Sequence, residues 1–369
     1  MINSIYLFAI KIVAVLLTFT EMIPFIPKKY EPIEPENGNI GIISSLGYAS
    51  RVCPLNNGTL IGGYEKDGTI RTATSDDNGK TWNNDTLAVG FDGLICANVN
   101  FYETKDMLCL AYRAIGTKED GSFYGSLRMS ISPDNGKTWS FHSIIAENTE
   151  TDGSFKGIWE PCLGLIGDEL VCVYANDSTS VTSKQNIESL TWDGENWSSR
   201  RILSNGEEHN SRDGMPVWCQ LKDGTYAMVI ESTKYRKQDK PFVIQIMYST
   251  DGYNYGKPYD VYISEGEGSK AAAPGICELS DGRIVISFQT DEDKETKGDN
   301  VSVSKIITSK KVNKKPKSVF DFSESCKVFP DEYDAYSIWG GICATDNEII
   351  YSAGTPFGAA YNIVPYSEF

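Results

Sequence analysis

The chain has 369 residues, a formal charge of −16 and only two histidines, His142 and His209. A strongly acidic protein repels phosphate backbones, so we expect no nucleic-acid partner. Two histidines and no Cys-x-x-Cys pair argue against a zinc site or a Ser-His-Asp triad, and we predict no cofactor or metal.

The N-terminal region resembles a targeting segment followed by a linker. Residues 1–20 are mostly apolar, but Lys11 interrupts them, and the apolar runs on either side are too short to span a membrane. We therefore predict a secretory signal or signal anchor over residues 1–20 and an extended, Pro- and Glu-rich leader over residues 21–38. Secretion also fits five Asn-x-Ser/Thr sequons, which begin at Asn57, Asn84, Asn176, Asn196 and Asn300.

An eight-residue phrase is repeated along the chain. Residues 75–82 read Ser-Asp-Asp-Asn-Gly-Lys-Thr-Trp and residues 132–139 differ from them at one position, while shorter copies occupy 191–197 and 249–255. Asp and Asn side chains accept backbone N–H bonds and Gly takes a positive φ, which is the chemistry of a tight hairpin turn. We expect the Trp to pack each turn against its own sheet. The repetition predicts a repeat architecture.

A second motif, Cys-x-Leu-x-x-Gly before an apolar strand, sets the number of repeats. It occurs at 53–58, 162–167, 219–224 and 277–282, and looser copies surround Phe101 and Cys343. Six units of roughly 50–65 residues, built of short apolar stretches, predict an all-β protein: one six-bladed, sialidase-like β-propeller of four-stranded antiparallel blades over residues 39–369. We expect a strand from residues 39–45 to complete the last blade. The repeat cysteines are interpreted as buried hydrophobic residues rather than a disulfide framework.

Charged residues are predicted at one mouth of the central channel. The first strand of each blade begins at this face and the antiparallel second strand ends there, so the residue two before the repeat cysteine and the residue twelve after it flank the mouth. The first position holds Arg51 and Glu160, and the second holds Glu65, Arg113 and Glu231. These groups either pair and plug the channel or form a polar, carboxylate-bearing pocket, and the residues alone leave both open.

Three segments together resemble one known family. They are Gly-Ile-Trp-Glu-Pro at 157–161, Asp-Gly-Met-Pro at 213–216 followed by Glu231, and Ala-Ala-Ala-Pro at 271–274 followed by Ser-Phe-Gln-Thr-Asp at 287–291. Over about residues 40–365 the chain resembles glycoside hydrolase family 93, the exo-α-1,5-L-arabinanases of the sialidase superfamily. The resemblance implies a retaining hydrolase that releases arabinobiose from arabinan, with Glu160 and Glu231 as its two catalytic residues. We also expect a monomer.

The catalytic roles follow from the chemistry of retention. A retaining glycosidase needs two carboxyl groups about 5–5.5 Å apart, one as nucleophile and one as acid/base. We assign Glu160 as the nucleophile and Glu231 as the acid/base. The acid should be the carboxyl in the drier site, with the raised pKa.

Six further side chains are candidate substrate-binding residues, each with a structural alternative: Arg51, Asn98, Arg113, Trp159, Asp213 and Tyr336. The two arginines either clamp sugar hydroxyls or form salt bridges with residues such as Glu65. Trp159 either stacks on a pentose ring or packs in the core. Asn98 either bonds the sugar or caps a turn, and Tyr336 either closes the pocket wall or packs. Asp213 either orients Glu231, bonds the sugar or caps the turn before Met215.

Two other functions remain open. A sialidase is favoured by Arg-Val-Cys-Pro at 51–54, which is similar to the start of sialidases. Sialidases, however, grip a carboxylated sugar with three arginines spread over the ring, and no arginine is predicted at the mouth in blades five and six. The other alternative is a non-catalytic glycan-binding propeller, which would have no need of the Glu160 and Glu231 pair.

Overall fold

The computed structural model describes residues 40–119, 121–148, 157–178, 184–234 and 241–366, so the predicted segments 1–20 and 21–38 lie outside the described residues. In that part of the chain there are 24 strands. They are β1 (Ile40–Ser44), β2 (Tyr48–Pro54), β3 (Leu60–Lys66), β4 (Thr69–Ser75), β5 (Asn83–Val89), β6 (Ile95–Glu103), β7 (Leu108–Thr117), β8 (Phe123–Ser132), β9 (Ser140–Glu147), β10 (Ile158–Ile166), β11 (Glu169–Asn176), β12 (Asn186–Trp192), β13 (Trp197–Ser204), β14 (Asp213–Gln220), β15 (Tyr226–Ser232), β16 (Val243–Ser249), β17 (Tyr259–Tyr262), β18 (Ala271–Glu278), β19 (Ile284–Thr290), β20 (Val303–Thr308), β21 (Cys326–Lys327), β22 (Ile338–Ala344), β23 (Glu348–Thr355) and β24 (Gly358–Pro365). The helical turns are α1 (Gly206–His209) and three 3-10 turns at Asp299–Val301, Val319–Asp321 and Asp331–Tyr333.

The strands form six four-stranded antiparallel sheets, which confirms the six-bladed propeller. Blades 1 to 5 are consecutive in the chain: β2–β5, β6–β9, β10–β13, β14–β17 and β18–β21. Blade 6 combines β22, β23 and β24 with β1, and Ile40 lies opposite Asn362 in that sheet. The expected closure by an N-terminal strand is therefore confirmed, and it fastens the first blade to the last.

The repeated Asp-Gly phrase joins the third and fourth strands of its blades, as predicted. In blade 1 the Gly79 N–H donates to Ser75 Oγ at 2.8 Å, and the Thr81 N–H donates to an Asp77 carboxylate oxygen at 2.8 Å. Residues 132–139 repeat these bonds at the same distances. Gly79 has a φ of 84°, which explains why glycine is needed there.

The tryptophans of these turns pack differently from the prediction, because they lie between blades rather than only on their own sheet. The Trp139 indole N–H donates to Thr72 Oγ1 of blade 1 at 3.1 Å, while the ring packs near Phe101 of its own blade. Trp82 of blade 1 contacts Tyr361 of blade 6 at 5.6 Å between ring centroids. An indole is long enough to reach the neighbouring sheet, so these turns also bind blade to blade.

Each innermost strand carries a β-bulge near its start, where one residue has a positive φ of 45° to 59°: Ala49, Asn98, Glu160, Met215, Ala273 and Trp339. These six residues define equivalent positions in the blades. The repeat cysteine follows four residues later in blades 1, 4, 5 and 6, but Cys162 follows Glu160 by two.

The cysteine alignment of blade 3 was therefore wrong by two residues. In blade 1 the first two strands are joined by the five-residue loop 55–59, whereas blade 3 joins them through residues 167–168 alone. The equivalent of Glu160 in blade 1 is Ala49, not Arg51. The three second-strand residues named from the sequence, Glu65, Arg113 and Glu231, do occupy equivalent positions, because each pairs with the residue before the bulge of its blade. The same position holds Ala175, Gln289 and Gly354 in blades 3, 5 and 6.

All nine cysteines are described and unpaired, in agreement with the absence of a disulfide framework. Four of the five sequon asparagines are exposed, but Asn176 is buried and donates to Glu188 at 2.8 Å, so it is closed to glycosylation in the folded state. Among the described residues, no helix is long and apolar enough to cross a membrane. The same residues contain no cluster of His, Cys, Asp or Glu that could hold a metal ion.

Candidate active site

The second strand of a blade supports the bulge of the next blade at the mouth. Glu65 Oε1 accepts the Asn98 N–H at 2.8 Å, and Glu231 Oε2 accepts the Ala273 N–H at 3.0 Å. Gln289 repeats the arrangement one blade further on, where its Oε1 accepts the Trp339 N–H at 2.8 Å. An acceptor at this position therefore holds adjacent blades together whether it is charged or neutral.

Glu160 is the bulge residue of blade 3 and has a φ of 46°. A non-glycine residue in this region costs roughly 1–2 kcal/mol, and such strain concentrates at functional sites. The side chain is half-buried. Burial raises the pKa of Glu160 to about 7, while Arg113 and Arg212 oppose the rise and Glu231 adds to it.

Glu231 lies near the end of β15 in blade 4 and is 5% exposed. Its Oε1 is 3.6 Å from Arg212 Nη1, and its Oε2 takes the Ala273 bond. Burial raises the pKa of Glu231, and the Arg212 charge and the Ala273 N–H counteract part of that effect. The charge of Glu231 acts on Glu160, so the two carboxyl groups belong to one electrostatic cluster. Their separation of 5–5.5 Å stays a prediction.

Arg113 occupies in blade 2 the position that Glu231 has in blade 4. It is 6% exposed, its guanidinium lies 3.6 Å from the centre of the Trp159 ring, and its Nε and Nη2 have no hydrogen-bond partner among the described residues. Burial lowers the pKa of Arg113 to about 10, although the charges of Glu160, Asp177 and Glu65 favour the protonated form. A buried cation with two donors left unpaired by the described residues thus lies within reach of the charges of Glu160, Asp177 and Glu65.

Trp159 packs in the core, as in its structural alternative, whereas Asp213 bonds two serine hydroxyls rather than a turn N–H. Trp159 is buried, its indole N–H donates to Asp177 at 2.9 Å, and the Arg113 guanidinium covers one of its faces. Asp213 is 2% exposed, and its two carboxylate oxygens accept from Ser204 and Ser211 at 2.6 Å each. The polar atoms of both residues therefore already have hydrogen-bond partners within the protein. Their contacts with a sugar stay predictions.

Arg51 spans blades 1 and 6. Its Nη1 donates to the Ser50 carbonyl at 3.1 Å and to the Trp339 carbonyl, and burial lowers its pKa. It packs so closely on Gly341 that a Cβ there would lie 2.2 Å from Arg51 Cδ. Arg51 therefore braces blade 1 against blade 6 through backbone carbonyls, and its contact with a sugar stays a prediction.

Asn98 and Tyr336 lie at the mouth as half-buried side chains. Asn98 is the bulge residue of blade 2, where an asparagine tolerates its φ of 59° better than most residues. Tyr336 approaches Tyr48, whose pKa is raised by burial, with the charges of Glu65 and Tyr336 adding to the effect. Both positions agree with a role in lining the mouth, and their sugar contacts stay predictions.

Two residues of the cluster were missed by the sequence analysis. Arg212 directly precedes the Asp-Gly-Met-Pro motif, so that neighbouring position was the available signal. Gln185 left no signal, because only the fold brings it beside the motif: the Asp213 N–H donates to its carbonyl oxygen at 3.2 Å. A Cβ on Gly214 would lie 3.0 Å from both Gln185 Oε1 and Glu231 Oε1.

No protein-family model matches the chain, and no curated protein matches its sequence. Solved structures do match. An α-L-arabinanase from Penicillium chrysogenum in complex with arabinobiose is 17% identical and has a TM-score of 0.65, over 93% of this chain and 99% of its own. The family 93 α-L-arabinofuranosidase of Fusarium graminearum, also with arabinobiose, has the same identity and TM-score over 92% and 98%. The NanB sialidase of Streptococcus pneumoniae is 11% identical, with a TM-score of 0.63 over 95% and 73%.

The chain has the sialidase-like six-bladed propeller fold. These structures confirm the predicted resemblance to family 93 at the level of the fold. Identities this low say nothing about activity.

Proposed function

We propose that the chain is a retaining glycoside hydrolase that acts on arabinan, with Glu160 and Glu231 as its catalytic carboxyl groups. One observation carries the proposal: two carboxyl groups from adjacent blades, both with raised pKa values, share one mouth with the guanidinium groups of Arg113 and Arg212. A structural ion pair ordinarily lowers a carboxyl pKa, whereas a glycosidase needs one carboxyl that keeps its proton near neutral pH.

The environment of each carboxyl favours the reverse of the order assigned from sequence. Glu231 accepts a backbone N–H and faces Arg212, and both contacts stabilise a carboxylate. Burial, together with the charges of Glu231 and Asp177, raises the pKa of Glu160 to about 7 even though Arg113 opposes the rise. Glu231 is the less exposed of the two, which taken alone would favour it as the acid. We give more weight to its two stabilising contacts, and propose Glu231 as the nucleophile and Glu160 as the acid/base.

The reaction then proceeds in two displacements. A Glu231 carboxylate oxygen attacks the anomeric carbon while Glu160 gives its proton to the departing glycosidic oxygen. Glu160, now a carboxylate, takes a proton from a water molecule, whose oxygen attacks the same carbon and releases Glu231. The anomeric configuration is retained, and Glu160 ends the cycle protonated.

Arabinan as substrate and arabinobiose as product are supported by the similar structures, two of which hold arabinobiose. The charges of the mouth agree with a neutral sugar, because three of its cations already have partners and Arg113 keeps two N–H donors that are unpaired in the described part of the chain and can bond sugar hydroxyls. Arg212 faces Glu231, Arg51 donates to two carbonyl groups, and Lys270 pairs with Asp299 at 2.5 Å. We propose exo action on α-1,5 linkages and a secreted, monomeric enzyme. Arabinan hydrolysis by the culture medium tests secretion. Size-exclusion chromatography of the purified protein tests whether it is a monomer.

The decisive experiment is hydrolysis of debranched arabinan with sizing of the products, on the wild type and on Glu160→Gln, Glu231→Gln and Glu65→Gln. Glu65→Gln is the matched control, because Glu65 occupies the position of Glu231 and makes the same contact to the next bulge. Gln289 demonstrates that a glutamine can make that contact. We expect the first two variants to fold and to lose at least about a hundredfold in activity, and the control to stay active. Full activity in either of the first two variants would refute the site.

A sialidase is the second candidate, because Arg51 in blade 1, Arg113 in blade 2 and the unforeseen Arg212 just before blade 4 supply three arginines. Arg283, by contrast, pairs with Asp281 at 2.7 Å at the other end of its strand. Cleavage of a fluorogenic sialoside but not of arabinan would select the sialidase. Binding of arabinobiose without cleavage of any substrate would select the glycan-binding module.

A further inference from the structure

The side-chain amide of Gln185 is buried and makes no hydrogen bond to the described residues that would explain its place in the fold. It is 0% exposed, and neither its Oε1 nor its Nε2 has a hydrogen-bond partner among the described residues. Leaving buried polar atoms unpaired costs about 1–3 kcal/mol per group. Gln245, another buried glutamine, follows the usual rule, since its Nε2 donates to Asp260 at 2.6 Å.

The unpaired amide lies beside the Glu231 carboxyl group. A Cβ on Gly214 would lie 3.0 Å from Gln185 Oε1 and 3.0 Å from Glu231 Oε1. Both oxygens therefore lie on the side of Gly214 where any other residue would carry its side chain. The backbone fixes this placement, because Gln185 bridges Arg212 in parallel register and accepts the Asp213 N–H. The absence of a side chain at position 214 thus makes room for the two polar groups to meet.

A primary amide can serve a carboxyl group in either protonation state. Rotation by half a turn exchanges its oxygen and its NH2 with almost no change of shape. Nε2 then donates to a Glu231 carboxylate, and Oε1 accepts from the O–H of the protonated acid. A donor to the carboxylate is the stronger of the two bonds, because it is charge-assisted.

We propose that Gln185 is the positioning residue of Glu231: its amide donates to the carboxylate Oε1, fixes the carboxyl plane and keeps the group ionised for attack. This role rests on the proposed function for its catalytic consequence, but the amide–carboxyl contact can be tested without it. The other groups that act on Glu231 are Arg212 before β14, the Ala273 N–H and Lys270 beside β18, Asp299 after β19, and Glu160 on β10.

The test compares Gln185→Met with the matched control Gln245→Met. Methionine has nearly the length of glutamine but cannot make these hydrogen bonds. Titration of 13C-labelled glutamate side chains by NMR, with Glu231→Gln to assign the resonance, measures the pKa of Glu231 directly. Urea unfolding gives the stability of both variants, and the pH profile of kcat/KM on arabino-oligosaccharides gives the catalytic effect.

We expect Gln185→Met to raise the pKa of Glu231 by about one pH unit, since a hydrogen bond to a charged group is lost. The same variant should lose stability above the pKa of Glu231, where the lost hydrogen bond served the ionised carboxylate, and should lose less below it, where the carboxyl is protonated. Gln245→Met should lose stability and leave the Glu231 titration unchanged. A Glu231 titration that is identical in Gln185→Met and wild type overturns the proposal.

The catalytic arm separates this inference from the proposed function. If arabinan is cleaved, the limb of the pH profile that reports Glu231 should move up with its pKa, and kcat/KM should fall at least tenfold at the optimum pH, on the order of the loss expected when a positioned group is displaced. If no arabinan is cleaved, the proposed function fails while the NMR titration still decides the role of Gln185.

Discussion

Replacing Glu160 with glutamine should stabilise the protein at pH 8 and stop catalysis. The pKa of Glu160 rises from 4.5 to about 7 in the folded state, chiefly through burial. Between these two values the folded protein holds a proton that the unfolded chain has already lost, so the free energy of unfolding falls as the pH rises. Above pH 7 the full cost is present, and at 1.36 kcal/mol for each pH unit it amounts to about 3 kcal/mol.

Glutamine has the shape of glutamate but never ionises, and it keeps the same positive φ, so backbone strain cancels in the comparison. We therefore expect Glu160→Gln to raise the free energy of unfolding by up to about 3 kcal/mol at pH 8 and by almost nothing at pH 4. Urea unfolding followed by tryptophan fluorescence at pH 4, 6 and 8 measures this. Activity on arabinan should fall by about 10²–10⁴-fold, the contribution of a general acid.

Glu65→Gln is the matched control, because burial raises the pKa of Glu65 to about 7 as well. It should gain stability with the same pH dependence and keep its activity. The reasoning would be refuted if the difference between Glu160→Gln and wild type did not change from pH 4 to pH 8. A variant that is less stable than wild type at pH 8 would refute it as well.

Three further outcomes are expected. Gly214→Ala places a Cβ 3.0 Å from Glu231 Oε1, so kcat/KM should fall by about a hundredfold while the melting temperature changes little, because this glycine does not have a positive φ. Asp134→Ala removes the bonds to Thr138 in a turn on the far face; thermal melting should occur at a lower temperature, with kcat unchanged. Cys326 is the one exposed cysteine of the nine, so a thiol reagent should modify a single residue in the native protein and leave activity intact.

The repeat phrases predicted the fold because they mark turns, and turns have strict local chemistry. The Asp-Gly phrase needs glycine at a positive φ and an acceptor two to four residues away, and both requirements are visible in the letters. Ring closure was also predictable, since a propeller with an incomplete last blade leaves an unpaired edge that the chain start can cover.

The site was predicted less completely, for two physical reasons. The cysteine motif marks a loop of variable length, so counting from it located Glu231 correctly but paired Glu160 with Arg51 instead of Ala49. The bulges themselves leave no signature, because five different residue types adopt the same positive φ. Gln185 could not be found at all, since its contact with Glu231 depends on packing between distant segments.

The pairing of β1 with β24 also sets the order in which the propeller can assemble during synthesis. Of the 24 described strands, the outermost strand of the sixth blade is synthesised first and its partner β24 is synthesised last. Until β24 has left the ribosome, β1 has no partner in its sheet and the last blade keeps an open edge. The propeller therefore closes in one late step, which joins the two strands that are farthest apart in the sequence.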